Sequence, residues 1–171
     1  MRMDVLVVDG YNIIGDWDEL KKLKQRDIGL ARDRLIEILI EYRAYTKRRV
    51  IIVFDALYVK GTESKQRING VEIIFTKENE TADECIERLI KSLKNVRNQV
   101  YVATSDYLEQ RTVFSRGALR ISARELFIEI STMETSVREQ LDNQINRELT
   151  SKIELKEHIR EKLEKWRRGE V

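Results

Sequence analysis

Asp9, Asp55 and Asp106 each close an apolar run rich in β-branched residues. Val5-Leu6-Val7-Val8 leads into Asp9, Val50-Ile51-Ile52-Val53-Phe54 into Asp55, and Val100-Tyr101-Val102-Ala103-Thr104-Ser105 into Asp106. Unbroken apolar runs of this length read as parallel strands buried on both faces. In an open α/β sheet the ligand crevice lies outside the carboxyl ends of the strands. Carboxylates delivered together to that edge repel one another unless a cation sits between them. The chemistry this predicts is that of a hard divalent metal, Mg2+ or Mn2+, held by oxygen ligands.

The remaining inventory narrows the choice. His158 is the one histidine, and it stands among Glu157, Arg160, Glu161 and Lys162, where a solvated surface role is expected. Paired-histidine catalysis is therefore excluded, and a single cysteine argues against a His-Cys zinc cluster. A Ser-His-Asp triad would need His158 moved into the cleft. No glycine-rich fingerprint follows the first strand, which argues against a dinucleotide enzyme. Chemistry must rest on carboxylates, amides, hydroxyls, lysines and arginines.

Each candidate also has an ordinary structural reading. Asp9-Gly10-Tyr11-Asn12 can be a strand-to-loop turn, with Gly10 allowing a sharp bend, or a carboxylate flanked by the Asn12 amide. Asp83 falls in the first turn of a helix, where an acid is favoured by the dipole alone. Thr81 and Glu84 form a capping box there, and Glu80 is either a loop charge or a group supporting the site. Thr104 and Ser105 can bond a carboxylate or phosphate, or simply cap the next helix. Asp55 is a turn residue or a support at the edge of the site.

Basic residues cluster nearby. Arg111, Arg116, Arg120 and Arg124 lie in a stretch with no acid, and their planar forks match phosphate. Lys60, Lys65 and Arg67 occupy a long segment between strands. Arg43, Lys47, Arg48 and Arg49 end a helix, where cations are favoured without any ligand. Tyr11, Tyr58 and Tyr107 are either packing residues or platforms for exposed bases.

The elements that must position these groups alternate strand and helix. Strands are expected at about 4–8, 50–54, 71–75 and 99–104, with a short fifth near 119–121. A loop follows Asp9, with a short helix near 17–24. Leu35, Ile38, Leu39 and Tyr42 place a helix over 28–47. The segment 56–70, with Gly61, Asn69 and Gly70, reads as a long loop whose length suggests function. Helices follow at 82–94 and from Ser122 to about 141, where Ser122 and Glu125 form a second capping box. A charged helix at about 153–167 ends the chain, packed on the domain or used by a partner. The alternation implies right-handed crossovers and a parallel sheet covered by helices on both faces.

At 171 residues, with 36% charged and 42% hydrophobic residues, the chain suits one globular domain over 1–171. A net charge of +2 does not by itself advertise a polyanion partner, so any such signal is local. One cysteine fits a reducing cytoplasm, and no signal peptide or membrane span is expected.

Val8-Asp9-Gly10-Tyr11-Asn12, Thr81-Ala82-Asp83 and Thr104-Ser105-Asp106 together resemble the PIN-like nucleases, in particular the NYN-domain branch that contains the bacterial YacP proteins. Val53-Phe54-Asp55-Ala56, Phe75 through Asp83, Gly117-Ala118-Leu119-Arg120 and Glu164 through Gly169 are similar to that branch as well. The resemblance spans nearly the whole chain, and the order and spacing of the motifs carry it. It implies a three-layer α/β/α fold with parallel strand order 3-2-1-4-5, and a metal-dependent endoribonuclease acting on messenger RNA in association with the ribosome. It places the acidic site at Asp9, Asp83 and Asp106 with Asn12 beside them. Two rivals stand against it: a non-catalytic RNA- or ribosome-binding module, and a phosphohydrolase with Asp9 as nucleophile. The second would want another aspartate where Tyr11 stands.

Overall fold

Strand formation follows the apolar runs closely. In the computed structural model, which describes residues 2–56, 64–106, 111–113 and 115–169, β1 is Met3–Asp9, β2 Arg49–Phe54, β4 Val71–Phe75, β5 Asn98–Ala103 and β6 Leu119–Ile121. Lys60, Tyr58 and Tyr107 lie outside the described residues. The chain divides into two units, Met1–Ile130 and Ser131–Val171. The first carries a six-stranded sheet ordered β3-β4-β2-β1-β5-β6.

The β4-β2-β1-β5-β6 portion is parallel throughout, in the strand order the resemblance implied. The sheet is not strictly parallel, however. β3, Ser64–Ile68, pairs antiparallel with β4 inside the segment expected to be loop. Its sequence Ser-Lys-Gln-Arg-Ile has no apolar face, because it is an exposed edge strand, and charged side chains suit such an edge. The hairpin turn is Asn69-Gly70, with φ of 46° and 85°. Positive φ at both central residues is what a tight hairpin of this twist requires, and Asn-Gly meets it with little strain.

Helices cover both faces. Val5, Val7, Ile51, Val53, Val100 and Val102 pack on one face against Cys85, Ile86, Ile90 and Leu93 of α4, Ala82–Leu93. The alternate residues Leu6, Val8, Val50 and Ile52 are equally buried on the other face. There α1 (Gly10–Asp16), α2 (Asp18–Arg26) and α3 (Ile28–Thr46) lie in succession. The loop expected after Asp9 is thus helix from its first residue. Gly10 serves close packing rather than a sharp bend, since a Cβ there would collide with the Phe54 ring.

Sequence periodicity placed two helices after Ser122; the backbone is one, α5, Ala123–Arg167. No glycine or proline interrupts it. Its first turns are tied to the first unit's core. Trp17 donates through Nε1 to the Ala123 carbonyl at 2.8 Å, and its ring meets Phe127 edge-on at 5.7 Å. Tyr42 donates to Glu129 at 2.8 Å, while Arg48 donates to the Tyr42 hydroxyl and to Glu129 at 2.8 and 3.1 Å. Burial, with Glu129 alongside, pushes the Tyr42 hydroxyl pKa well above its usual value. Among the described residues no helix is long and apolar enough to cross a membrane.

Candidate active site

The carboxyl edge of the central strands gathers most of the candidate groups. Asp9 ends β1, registered beside Val53 of β2, and the neighbouring Val8 lies beside Ala103 of β5. Asp9 is 8% exposed and its carboxylate does not cap α1, although it stands at that helix's N-terminus. Asp55 follows β2 by one residue and Asp106 follows β5 by three. Parallel pairing of β2, β1 and β5 therefore brings Asp55, Asp9 and Asp106 to a common rim.

Two local devices set that rim. Asn12, in the first turns of α1, accepts through Oδ1 from the Ser105 amide at 2.7 Å and from the Ser105 hydroxyl at 2.8 Å. This clamps the segment after β5 to the helix after β1. Thr104 is fully buried, bonds the Ile121 carbonyl through its amide, and accepts from the Asp106 amide at 3.1 Å. The Thr104 hydroxyl thus holds the Asp106 backbone, while the Ser105 hydroxyl bonds the Asn12 side chain.

Asp83 arrives from α4. Thr81 and Glu84 form the expected capping box, so Asp83 occupies an exposed first-turn position. Asp55 accepts from the Ala82 amide at 3.2 Å, joining the exit of β2 to the start of α4. The Ala56 amide donates to the buried Thr76 hydroxyl at 2.9 Å, and the Thr76 amide to the Phe54 carbonyl at 3.0 Å. Asp83 also faces a cleft of about 180 Å³ shared with Glu84, Glu87, Thr112 and Val113. Glu80 is gripped by both nitrogens of a fork from Arg88, at 3.0 and 3.1 Å.

The basic candidates do not form one patch. Lys65 and Arg67 are exposed on the outer strand β3, and Arg120 on the opposite outer strand β6. Arg111 and Arg124 are exposed, and Arg116 is paired with Glu87 of α4. Tyr11 is engaged in packing: its ring lies 5.1 Å from that of Phe54, and its hydroxyl accepts from Arg32 at 2.9 Å. Arg32 in turn lies over the Phe75 ring at 5.7 Å. Sequence reasoning missed Arg32 and Thr76. Arg32 sits in the second turn of α3 with no local mark, and a threonine after a strand has no signature of burial.

Among the described residues no three His, Cys, Asp or Glu side chains converge as a metal cage. The oxygen donors at this rim suit a different mode. Mg2+ commonly keeps several waters and is held by one or two carboxylates together with substrate phosphate. For such an ion Asp9 and one further acid of the rim would be the protein's ligands.

The description of a YacP-like NYN domain matches residues 6–168. The Bacillus subtilis (strain 168) protein YacP is 52% identical over 169 residues, covering 99% of either chain. The crystal structure of Bacillus subtilis Rae1 (YacP) is similar with a TM-score of 0.75 at 52% identity, over 98% of this chain and 97% of that one. A tryptophan-to-leucine mutant of the same protein matches with a TM-score of 0.72 at 50% identity, over 82% of each chain. These similarities support an RNA-related function. By the extent of the match, this chain belongs to the YacP-like NYN domain family.

Proposed function

We propose that this protein is a divalent-metal-dependent endoribonuclease that cuts messenger RNA in association with the ribosome. The observation that supports the reading is the placement of Asp9, Asp55 and Asp106 at the carboxyl ends of neighbouring parallel strands, with the N-terminus of α4, which carries Asp83, bonded to Asp55. Asp9, Asp83 and Asp106 would hold Mg2+ or Mn2+, one or two ions, through one or two carboxylates each. When bound, such an ion supplies a water of lowered pKa and Lewis-acid stabilisation of a phosphodiester.

The chain's own residues do the positioning. Asn12 and Thr104 fix the backbone that carries Ser105 and Asp106, which limits how far the acids move as substrate enters. Arg32, held by Tyr11 and Phe75, offers a cation beside the carboxyl ends of β2 and β4 to offset charge on a reacting phosphate. Lys65, Arg67, Arg111, Arg120 and Arg124 would contact backbone phosphates along the strand. A net charge of +2 spread over separate patches suits an RNA presented by a larger assembly better than free RNA.

The absence of a three-acid cage among the described residues favours a second reading, a non-catalytic RNA- or ribosome-binding module. Cleavage of an RNA on translating ribosomes, with end analysis, separates the two. The nuclease reading expects 5′-phosphate and 3′-hydroxyl ends, and Asp9→Asn that binds but does not cut. Binding without cleavage by the wild-type chain in Mg2+ and in Mn2+ supports the module. Cleavage that leaves 2′,3′-cyclic phosphates overturns the proposed chemistry.

A further inference from the structure

The second unit exposes a largely apolar face whose spacing is the same read in either direction. Along α5 the residues Val137, Leu141, Ile145, Glu148, Lys152, Leu155, Ile159 and Leu163 follow one another at spacings of 4, 4, 3, 4, 3, 4 and 4. At 3.6 residues per turn these positions share one side of the helix, over about 40 Å. The series is palindromic about residue 150. Leu141, Ile145, Leu155, Ile159 and Leu163 are 54%, 54%, 61%, 49% and 54% exposed, so no described residue of the second unit covers the face.

We infer that α5 pairs with α5 of a second copy of this chain, antiparallel, about a two-fold axis at residue 150. In that register Leu141 faces Ile159 of the other copy, and Ile145 faces Leu155. At the centre Glu148 meets Lys152 of the other copy, and the symmetry makes the pair twice. Beside the axis Leu149, 52% exposed, meets its own counterpart. On the same flank Asp142 falls between Lys156 and Arg160 of the other copy. Parallel pairing would instead set Glu148 against Glu148 and Lys152 against Lys152. The two central charges therefore select both the direction and the register, the role polar residues play within helical pairs. Self-complementarity of one patch is what a two-fold interface demands, and Glu148 opposite Lys152 supplies it.

Light scattering and sedimentation of the full chain test this. The expected species is a dimer, twice the 20.3 kDa of one chain. Leu141→Glu with Ile159→Glu, which keeps good helix formers, should leave monomer with unchanged helical circular dichroism. Glu148→Lys alone sets lysine against lysine and should weaken dimerisation by more than about tenfold. Adding Lys152→Glu to it should restore the wild-type constant. Leu149→Cys should form a disulfide-linked dimer, whereas Ile145→Cys should not, the native Cys85 being buried. A wild-type chain that stays monomeric at every concentration overturns the inference. So does a dimer that survives Leu141→Glu with Ile159→Glu, and failure of the double charge reversal to restore pairing overturns the antiparallel register.

Discussion

Asn12 and Ser105 are joined by two hydrogen bonds across 93 residues of sequence, both accepted by the same amide oxygen at 2.7 and 2.8 Å. One comes from a backbone amide and one from a hydroxyl, so the segment after β5 is fixed in both position and orientation. Asn12→Ala should lower ribosome-dependent cleavage by roughly 10–100-fold, the usual cost of losing a group that orients a site. The thermal midpoint should fall only slightly, because the bonds lie at an exposed rim. Ser105→Ala keeps the amide bond and should show a smaller loss. Equal activity in Asn12→Ala and wild type would remove the clamp from the account.

Asp55 and Ala82 form a comparable link, 3.2 Å from carboxylate to amide. If Asp55 holds the start of α4, an asparagine there keeps an acceptor and should retain most activity. Asp55→Ala should lose about tenfold or more and speed hydrogen exchange at the Ala82 amide. Equal damage from both substitutions would instead assign Asp55 a role that needs its charge.

The rim was readable where one physical cause dominated. Short apolar runs rich in β-branched residues favour buried strands, and parallel strands carry their trailing residues to one edge, so the strand ends bearing Asp9, Asp55 and Asp106 could be placed from sequence. Thr81 and Glu84 announced the start of α4 through local hydrogen bonding alone. β3 escaped because an exposed edge strand has no apolar face to alternate. Its one local signal, Asn69-Gly70, fits loop punctuation as well as it fits a hairpin turn. Arg32 and Thr76 acquire their roles only through tertiary neighbours, and no spacing rule reaches them. The arginines from Arg111 to Arg124 look like one cluster in sequence, yet β6 and α4 draw them to different partners.

The start of α5 has a built-in acid sensitivity. Glu125 accepts from the Ser122 amide at 2.7 Å, and that bond holds its carboxyl below the ordinary 4.5. A carboxyl with a lowered folded-state pKa adds stability that is present above its unfolded value and lost as pH falls through its folded one. Glu125→Gln lacks this titration. The gap in thermal midpoint between wild type and Glu125→Gln should therefore be constant above pH 4.5 and shrink as the pH falls below it. A gap unaffected by acid would show that the bond contributes nothing to folding.

The proposed chemistry depends on acids at the carboxyl edge of the central strands holding a divalent ion. A crystal soaked in Mn2+ and measured for anomalous scattering tests it directly. The expected result is a peak at the carboxyl edge, in contact with Asp9 and with Asp83 or Asp106, abolished by Asp9→Asn. No peak at that edge, together with RNA cleavage that persists in excess chelator, would contradict it.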